Sequence, residues 1–509
     1  MNIQYKWLIL LLIFGCISCQ SDDDTSAVNE KIVITSGEAD FSKYVSVGNS
    51  LTAGFTDGAL FVAGQENSMP NILAKQFALA GGGEFKQPLM NDNIGGALLG
   101  GTQILKPRFF FDGSKPSILN GVPTTEITTQ ITGSFNNMGI PGAKSFHLPA
   151  QGYGNMAGVA AGLANPYFAR MASSATASVL GDAMAQNPTF FSLWIGNNDV
   201  LGYALSGGDG TDPITDQSIF TQSYNALVAG LTSGGAKGVV FNIPDVTSIP
   251  HFTTVPFAPL DPKSPSFGPL IPALNAQFAG LNLVFTALGV PERSISFALD
   301  AASPVIIKDE SLTNLSVQIT AALQNNGVDA GTAAVTGFLY GQSRPANKED
   351  LLLLPSSSII GKVNTEAVTT LMGLGLSQTQ AGQLAVNGVT YPLEDKWVLL
   401  PSEQQEIASA TSLFNTIINT NVEQAGLAFV DANAILREAA ENGVKFDEFL
   451  LKDNLVFGGA FSLDGVHPTA RGYAFLANKA MESINSKYGS NLPMVKAKNY
   501  PTFYSATLQ

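Results

Sequence analysis

Apolar residues along the chain form two kinds of pattern, short continuous runs and longer stretches with helical spacing. The short runs lie between Gly, Pro and polar residues and predict strands at residues 44–48, 188–196, 236–245 and 426–436, the last ending at Asp431. Helical spacing predicts helices at residues 165–186, 217–237, 401–426 and from Thr469 onward. Strands that alternate with helices are typical of a parallel sheet covered on both faces. The expected fold class is therefore α/β.

The predicted helix at residues 401–426 has a recognisable start. Ser402 and Gln405 have the spacing of a capping box, in which each side chain accepts from a backbone N–H near the other residue. The apolar face of this helix carries Ile407, Ala410, Phe414 and Ile417.

Two stretches depart from the alternation of strands and helices. Residues 56–135 are rich in Gly, Phe, Thr and Pro and lack periodicity, whereas residues 256–395 begin with a Pro-rich segment and hold elements of their own. We interpret both as insertions into one α/β domain, whose first part covers residues 40–255 and whose second part covers residues 396–509. The insertions are apolar, so they could form a lid or an acyl groove, or simply enlarge the core.

The N-terminal segment indicates export. Lys6 precedes an apolar run at residues 7–17, which is shorter than the roughly 20 residues needed to span a bilayer. This pattern is typical of a secretory signal peptide. We therefore assign residues 1–18 to a signal peptide and residues 19–39 to a tether.

The signal segment ends in a small residue followed by Cys19, which resembles a bacterial lipoprotein signal. The resemblance implies that Cys19 is lipidated and becomes the mature N-terminus, with Cys16 as a second candidate. The acidic run at residues 20–24 resembles signals that send some bacterial lipoproteins to the cell surface, and it is equally typical of a solvated tether.

Composition limits the classes of partner. The net charge is −14 without any basic block, which argues against nucleic acid, because phosphate binding needs clustered Lys and Arg. The same charge disfavours electrostatic binding to anionic lipid, so membrane attachment should come from the lipid on the cysteine. Both cysteines lie in the N-terminal segment, so no disulfide framework is expected. The 45% hydrophobic content indicates a globular body.

Candidate chemistry begins at the end of the first predicted strand. Gly48-Asn49-Ser50 presents a serine there, either as a simple turn or as a nucleophile at the edge where α/β sheets place their sites. Of three histidines, His467 follows Asp464 by three residues and precedes a helix. An Asp at this spacing can accept the Nδ1 proton and leave Nε2 as a base, although both residues could also lie at an ordinary helix cap.

Two further segments could supply oxyanion donors. Asn198 follows the strand at residues 188–196 and could direct its amide N–H₂ into a site, or simply form a turn. Gly142 lies where the backbone could closely approach a ligand, and its N–H could donate to the same oxyanion.

Together these segments resemble the SGNH hydrolases, also called the GDSL esterase and lipase family. The matching segments stand in the family order, GNSL at 48–51, NMGIPGA at 137–143, GNND at 196–199 and DGVHP at 464–468. The resemblance implies a three-layer, flavodoxin-like parallel sheet flanked by helices, and the family core does not explain the two large insertions. One departure is Asn49, where the family usually has Asp.

Carried over residue by residue, the resemblance implies that Ser50 is the nucleophile and His467 is the general base. Asp464 would orient His467. The oxyanion hole would consist of the backbone N–H of Ser50, the N–H of Gly142 and the side chain of Asn198. Asp199 would fix the turn that carries Asn198.

The implied function is that of an exported serine esterase or lipase that hydrolyses carboxylic esters through an acyl-enzyme, without a cofactor or metal. Its partners would be an ester substrate and, through the lipid anchor, the outer membrane, with the cell surface as one destination. Two alternatives remain open from the sequence. One is a carbohydrate O-acetyl esterase that acts on polysaccharides, and the other is a catalytically inactive surface binding protein.

Three other residues have no role in this scheme or only a weak one. His147 and His251 are interpreted as loop or core histidines. Arg344 could pair with Asp350 at the surface or reach a polar group of the substrate, and the surface pair is favoured.

Overall fold

The computed structural model describes residues 33–508, of which residues 34–508 belong to one compact unit. The predicted signal peptide at residues 1–18, the candidate lipidation site Cys19 and its rival Cys16 lie outside the described residues.

A five-stranded parallel sheet forms the centre of the compact unit. Its strands are β1 (Tyr44–Gly48), β2 (Asn137–Gly139), β3 (Phe190–Trp194), β4 (Lys237–Phe241) and β5 (Ala428–Val430). They lie side by side in the order β2-β1-β3-β4-β5, which is one of the common doubly wound orders. The direction in which successive strands are added to the sheet reverses between β1 and β3, and the loops after these two strands diverge there.

Helices cover both faces of the sheet, as the sequence predicts for the α/β class. Successive strand residues point to opposite sides, so Tyr44 and Phe190 join one hydrophobic cluster while Val45 and Phe191 join another. The helices of eight or more residues are α1 (Met69–Phe77), α2 (Asn198–Leu205), α3 (Gln217–Thr232), α4 (Ile271–Ala287), α5 (Ser316–Asn325), α6 (Ala330–Tyr340), α7 (Thr365–Gly373), α8 (Pro401–Ala425), α9 (Ala432–Glu441) and α10 (Ala470–Tyr488). Helices α3 and α8 pack on one face of the sheet, and α1 and α10 pack on the other.

Shorter elements fill the connections. Short α-helices span Ser50–Ala53, Val62–Glu66, Met156–Val159, Pro166–Ala169, Val179–Met184, Pro250–Thr253 and Gln378–Leu384. Single 3₁₀ turns span Ala78–Ala80, Ser145–His147, Val246–Ser248, Gly268–Leu270, Pro291–Arg293, Leu354–Ser358, Asp395–Trp397 and Ala497–Asn499. Antiparallel strand pairs join Ala97–Leu99 to Thr102–Leu105, Phe109–Phe111 to Pro116–Ile118, Ile306–Lys308 to Ser343–Pro345, Leu351–Leu352 to Val398–Leu399, and Val444–Phe446 to Phe449–Leu451.

The structure differs from the predicted elements at several points. The predicted helix at residues 165–186 is two short helices, Pro166–Ala169 and Val179–Met184, separated by a turn. The run at 426–436 is strand only as far as Val430 and continues as helix α9. Strand β2 was not predicted.

The start of α8 also differs from the expected capping box. Ser402 lies inside the first turn, and the helix begins one residue earlier at Pro401. The Glu403 carboxylate, rather than Gln405, accepts from the Leu400 N–H at 2.6 Å.

Residues 255–400 form a hydrophobic cluster of their own, which includes α4, α5, α6 and α7. Among the described residues, the segment Gly268–Ala287 is long and apolar enough by composition to cross a membrane. One face of α4 within that segment is buried in this second cluster, with Ile271, Leu274, Phe278, Leu281, Val284 and Phe285.

Arg344 lies in this second cluster's region and is not a surface residue. Its guanidinium contacts the Asp350 carboxylate through Nη1 and Nη2, both at 2.7 Å, and the Asp309 carboxylate through Nε at 2.6 Å. Both carboxylates are buried. The predicted surface pair is therefore a largely buried three-residue network that ties Ser343–Pro345 to its neighbours.

The chain is already ordered before β1. The Thr35 N–H donates to Asn491 Oδ1 at 2.7 Å, and the Glu38 N–H donates to the Tyr488 carbonyl at 2.8 Å. Ala39 is buried. The last residues of the predicted 19–39 tether therefore bind to the segment that follows α10.

Candidate active site

Ser50 lies immediately after β1, at the carboxyl edge of the sheet. Strand β1 ends at Gly48, and Asn49 caps the short helix Ser50–Ala53 by accepting from the Leu51 N–H at 3.0 Å. A Cβ on Gly48 would lie 2.2 Å from Thr52 Oγ1 and 2.4 Å from the Trp194 carbonyl, so only glycine fits this close packing. The strand therefore stops sharply and presents the serine side chain at the edge.

His467 and Asp464 come from the loop before α10 and meet Ser50 there. The Ser50 hydroxyl lies 2.9 Å from His467 Nε2, and His467 Nδ1 lies 2.9 Å from Asp464 Oδ2. An ionised carboxylate only accepts, which assigns the ring proton to Nδ1 and leaves Nε2 to accept from the serine hydroxyl. The three residues predicted from the sequence thus form a continuous hydrogen-bonded chain.

Asp464 is fixed by several donors besides the imidazole. Its Oδ1 accepts from the backbone N–H groups of Val466 and His467 and from the Ser462 hydroxyl, at 2.8, 2.9 and 3.0 Å. Its Oδ2 also accepts from the Gly58 N–H at 2.8 Å. Burial alone would raise the pKa of Asp464, but the charge and hydrogen bonds of His467 outweigh burial and hold that pKa below its usual range. Asp464 is therefore an anion positioned to stabilise an imidazolium.

Sequence reasoning missed the residues that support Asp464 from the other side. Ser462 Oγ accepts from the Asp57 N–H at 2.9 Å while it donates to Asp464, and Asp57 Oδ1 accepts from the Leu463 N–H at 3.0 Å. Burial raises the pKa of Asp57 to about 7, and the nearby Asp464 charge acts in the same direction. Asp57-Gly58 is a turn-forming pair, and this was the only local signal that could have pointed to it.

Each of the three predicted oxyanion donors has an N–H that no hydrogen bond within the described residues uses. Ser50 is the first residue of its helix, so its N–H has no intrahelical acceptor. Gly142 has a φ of +80°, in the left-handed region that favours glycine, and no hydrogen bond ties its N–H to another described residue. Asn198 Nδ2 donates to the Ala143 carbonyl at 2.9 Å, so its second N–H can donate to a bound oxyanion.

Asp199 has a structural position next to Asn198, and its carboxylate also reaches a second loop. It is completely buried, and its carboxylate accepts from the N–H and the hydroxyl of Ser145 at 2.8 and 2.7 Å. Burial raises the pKa of Asp199, and the Ser145 bonds oppose that shift. Asp199 thus joins the loop after β3 to the loop after β2, and it holds Asn198 and Gly142 near each other.

A narrow cavity opens beside Ser50 and His467. Its volume is about 110 Å³, and Asn198 also lines it. Most of its other walls are apolar side chains from the loop after β4, from α9 and from the first half of α10. An apolar wall next to a serine and an imidazole suits a substrate with an uncharged, apolar group beside the reacting bond.

The chain was compared with known proteins in three ways. No protein-family model matches it. Neither the curated proteins nor the solved structures contain a match. The geometry of the chain itself therefore carries the functional argument.

The other two histidines are packed in the structure. The His147 ring stacks on Tyr153 at 4.4 Å, and the His251 N–H donates to the Gly465 carbonyl at 3.0 Å, next to Asp464. Burial lowers the pKa of each histidine to about 4, so both are neutral at pH 7.

One group among the described residues could hold a metal ion by proximity alone. Glu310, Asp395 and Glu403 place carboxylate oxygens within 4.8 Å of one another. None of the three lines the cavity at Ser50.

Proposed function

We propose that this chain is a serine hydrolase that cleaves carboxylic esters through an acyl-enzyme. The observation that carries the proposal is the hydrogen-bonded chain from Ser50 through His467 to Asp464, with 2.9 Å at both links. This is the arrangement that activates a serine hydroxyl on several unrelated folds.

In the first half of the reaction, Ser50 Oγ bonds to the ester carbonyl carbon while its proton moves to His467 Nε2. Asp464 stabilises the resulting imidazolium. The carbonyl oxygen becomes an oxyanion, which accepts from the Ser50 and Gly142 N–H groups and from Asn198. Each such donor typically contributes about 10²- to 10³-fold in kcat. The ester C–O bond then breaks, and His467 gives its proton to the departing alcohol.

The second half repeats these steps with water. His467 Nε2 removes a proton from a water molecule, whose oxygen attacks the acyl carbon. The bond to Ser50 breaks, and His467 returns the proton to Ser50 Oγ. A general base of this kind contributes about 10²- to 10⁴-fold.

Membership of the SGNH hydrolases is part of the proposal. The four sequence segments that resemble this family supply Ser50, Gly142, Asn198 and His467, and three of these residues follow strands of the central sheet. The strand order β2-β1-β3-β4-β5 supports the expected flavodoxin-like arrangement. We also propose export and attachment to the outer membrane through Cys19, on the strength of the N-terminal sequence alone.

The test uses the full-length chain, a fluorophosphonate probe and nitrophenyl esters from acetate to palmitate. We expect the wild-type chain to be labelled and to hydrolyse at least one ester. Ser50→Ala should lose both properties, and His467→Ala should lose turnover by about 10²-fold or more. Ser114→Ala replaces an exposed serine of a hairpin and serves as the matched control. If the wild-type and Ser50→Ala chains behave alike, the chain is a binding protein instead.

The acyl group separates the two hydrolase alternatives. A profile that peaks at acetate and extends to acetylated polysaccharide would favour a carbohydrate O-acetyl esterase. The apolar cavity beside Ser50 favours larger acyl groups.

A further inference from the structure

The cavity beside Ser50 has a defined position in the fold. It lies between α9 and α10 beside the carboxyl edge of the sheet, where residues from the clusters of both faces line it, such as Trp194 and Ile249. Helix α9 lines it with Ala432, Ile435, Leu436 and Ala439, which have the spacing of a single helix face. Helix α10 lines it with Gly472, Phe475 and Leu476.

The apolar insertions do not contribute to this cavity. Its lining residues fall within 49–51, 194–201, 244–249 and 432–476, all outside residues 56–135 and 256–395. From the sequence, those insertions could form a lid or an acyl groove, or simply enlarge the core. The cavity that reaches the serine belongs instead to the α/β domain itself.

The cavity wall follows a large part of α9. This helix begins directly after β5, and α10 begins directly after the loop that carries His467. Ala432 opens α9 and Ala439 lies seven residues later, about 10 Å along the helix axis. Both residues line the cavity, and Val444 and Leu451 of the following hairpin also belong to its wall.

The size of the cavity limits what it can hold. An apolar cavity of about 150 Å³ holds benzene, so a cavity of 110 Å³ has room for about four to five carbon atoms beyond the carbonyl. Acetyl would leave most of this volume empty, and a palmitoyl chain would exceed it.

We propose that this cavity binds the acyl chain of the substrate and selects short acyl groups of about five to six carbons. The inference rests on the proposed ester hydrolysis and adds its substrate class. Ala439 is the specificity-determining residue, because its small side chain lines the cavity about 10 Å along α9 from Ala432, where a larger side chain would fill the space.

The first experiment measures kcat/KM on nitrophenyl acetate, butyrate, hexanoate, octanoate and palmitate with the full-length chain. The leaving group stays constant, so only the acyl side varies. We expect a maximum at hexanoate, whose chain has five carbons beyond the carbonyl. Ala439→Phe should lower kcat/KM for hexanoate by about tenfold or more and leave acetate nearly unchanged, because each methylene that no longer fits costs at least that factor.

Two further variants make the result specific. Ala434→Phe introduces the same side chain on the exposed face of α9 and should keep the wild-type profile. Leu436→Ala enlarges the cavity and should move the maximum toward octanoate, so the inference stays testable if Ala439→Phe fails to fold. A wild-type maximum at acetate or palmitate, or a profile that neither cavity variant changes, would overturn the acyl pocket while the esterase proposal stands.

A binding measurement separates failure of the pocket from failure of the proposed reaction. Ser50→Ala is titrated with hexanamide, an uncharged acyl compound, and the fluorescence of Trp194 is followed because its side chain lines the cavity. Saturable binding that Ala439→Phe abolishes and Ala434→Phe preserves supports the pocket even if no ester is hydrolysed. Absence of binding together with absence of an effect on chain length overturns it.

Discussion

The carboxylate of Asp464 accepts hydrogen bonds from its own turn and from a distant loop. Asp464→Asn keeps the acceptor oxygen, but its amide cannot stabilise an imidazolium and can favour the wrong tautomer of His467. We expect kcat to fall by about 10⁴-fold with little change in melting temperature. Turnover of nitrophenyl butyrate and a thermal melt measure the two quantities. A variant that stays within about tenfold of wild type would exclude Asp464 from the reaction.

At the residue scale, the sequence predicts contacts between residues that are close along the chain, but it does not predict contacts between residues that are far apart along it. Asp464 and His467 are three positions apart and belong to one turn, so their pairing could be predicted. The Gly58 N–H that binds the same carboxylate lies 406 positions away. No local pattern encodes such a contact, because only the complete fold brings these loops together.

The candidate base, His467, lies in the loop just before helix α10. Thr469 caps the helix by accepting from the Gly472 N–H at 3.0 Å, and its hydroxyl donates to the Gly459 carbonyl at 2.7 Å. Thr469→Ala should lower the free energy of unfolding by about 1–2 kcal/mol. It should also lower kcat, because the loop that carries His467 loses the hydrogen bonds of the Thr469 hydroxyl. Urea unfolding and ester turnover measure these effects.

Thr469→Ser is the matched control for this cap. Serine keeps the hydroxyl and both hydrogen bonds, so it should restore most of the stability and turnover. A serine variant as impaired as the alanine variant would assign the effect to the lost methyl group and its packing.

At the element scale, helix α8 was predicted well, whereas strand β2 and the break in the predicted helix at residues 165–186 were not. Helix α8 has 25 residues, and its observed bounds lie within one residue of the prediction. Strand β2 has three residues, Asn137–Gly139, and includes two weak strand formers. Its place in the sheet comes from pairing with β1, which a pattern along the chain does not contain. The sequence did not predict the turn between Pro166–Ala169 and Val179–Met184, because Ala and Ser occur in both helices and turns.

The junction between α8 and residues 255–400 holds a group of close carboxylates. Glu403 is buried, and burial raises its pKa to about 9, while burial and the nearby Glu310 raise that of Asp395 to about 7. The folded chain therefore binds more protons here than the unfolded chain, so stability should fall as the pH rises from about 5 to about 9.

Glu403→Gln keeps an acceptor for the Leu400 N–H and removes the ionisation. We expect this variant to flatten the loss of stability with pH, whose slope for one proton is at most about 1.4 kcal/mol per pH unit. Urea unfolding across this pH range measures the slope. Glu423→Gln, on the exposed side of α8, should keep the wild-type slope. Equal slopes in all three chains would mean that Glu403 is ionised in the folded state.

At the scale of the whole molecule, the α/β class was predictable because it repeats along the chain. The separate hydrophobic cluster of residues 255–400 was visible only as a departure from that repeat. The sequence did not predict that half-buried Arg344 pairs with two buried carboxylates, since a charged residue close to an Asp is most often exposed.

The contact of residues 35–38 with the end of α10 fixes where the incoming chain meets the α/β domain. Helix α10 starts beside the serine and extends about 28 Å before it reaches Tyr488, where the incoming chain binds. Residues 35–38 therefore lie at the opposite end of this helix from Ser50, and none of them lines the cavity. The described part of the incoming chain thus leaves the entrance of the cavity uncovered for esters that arrive from solution.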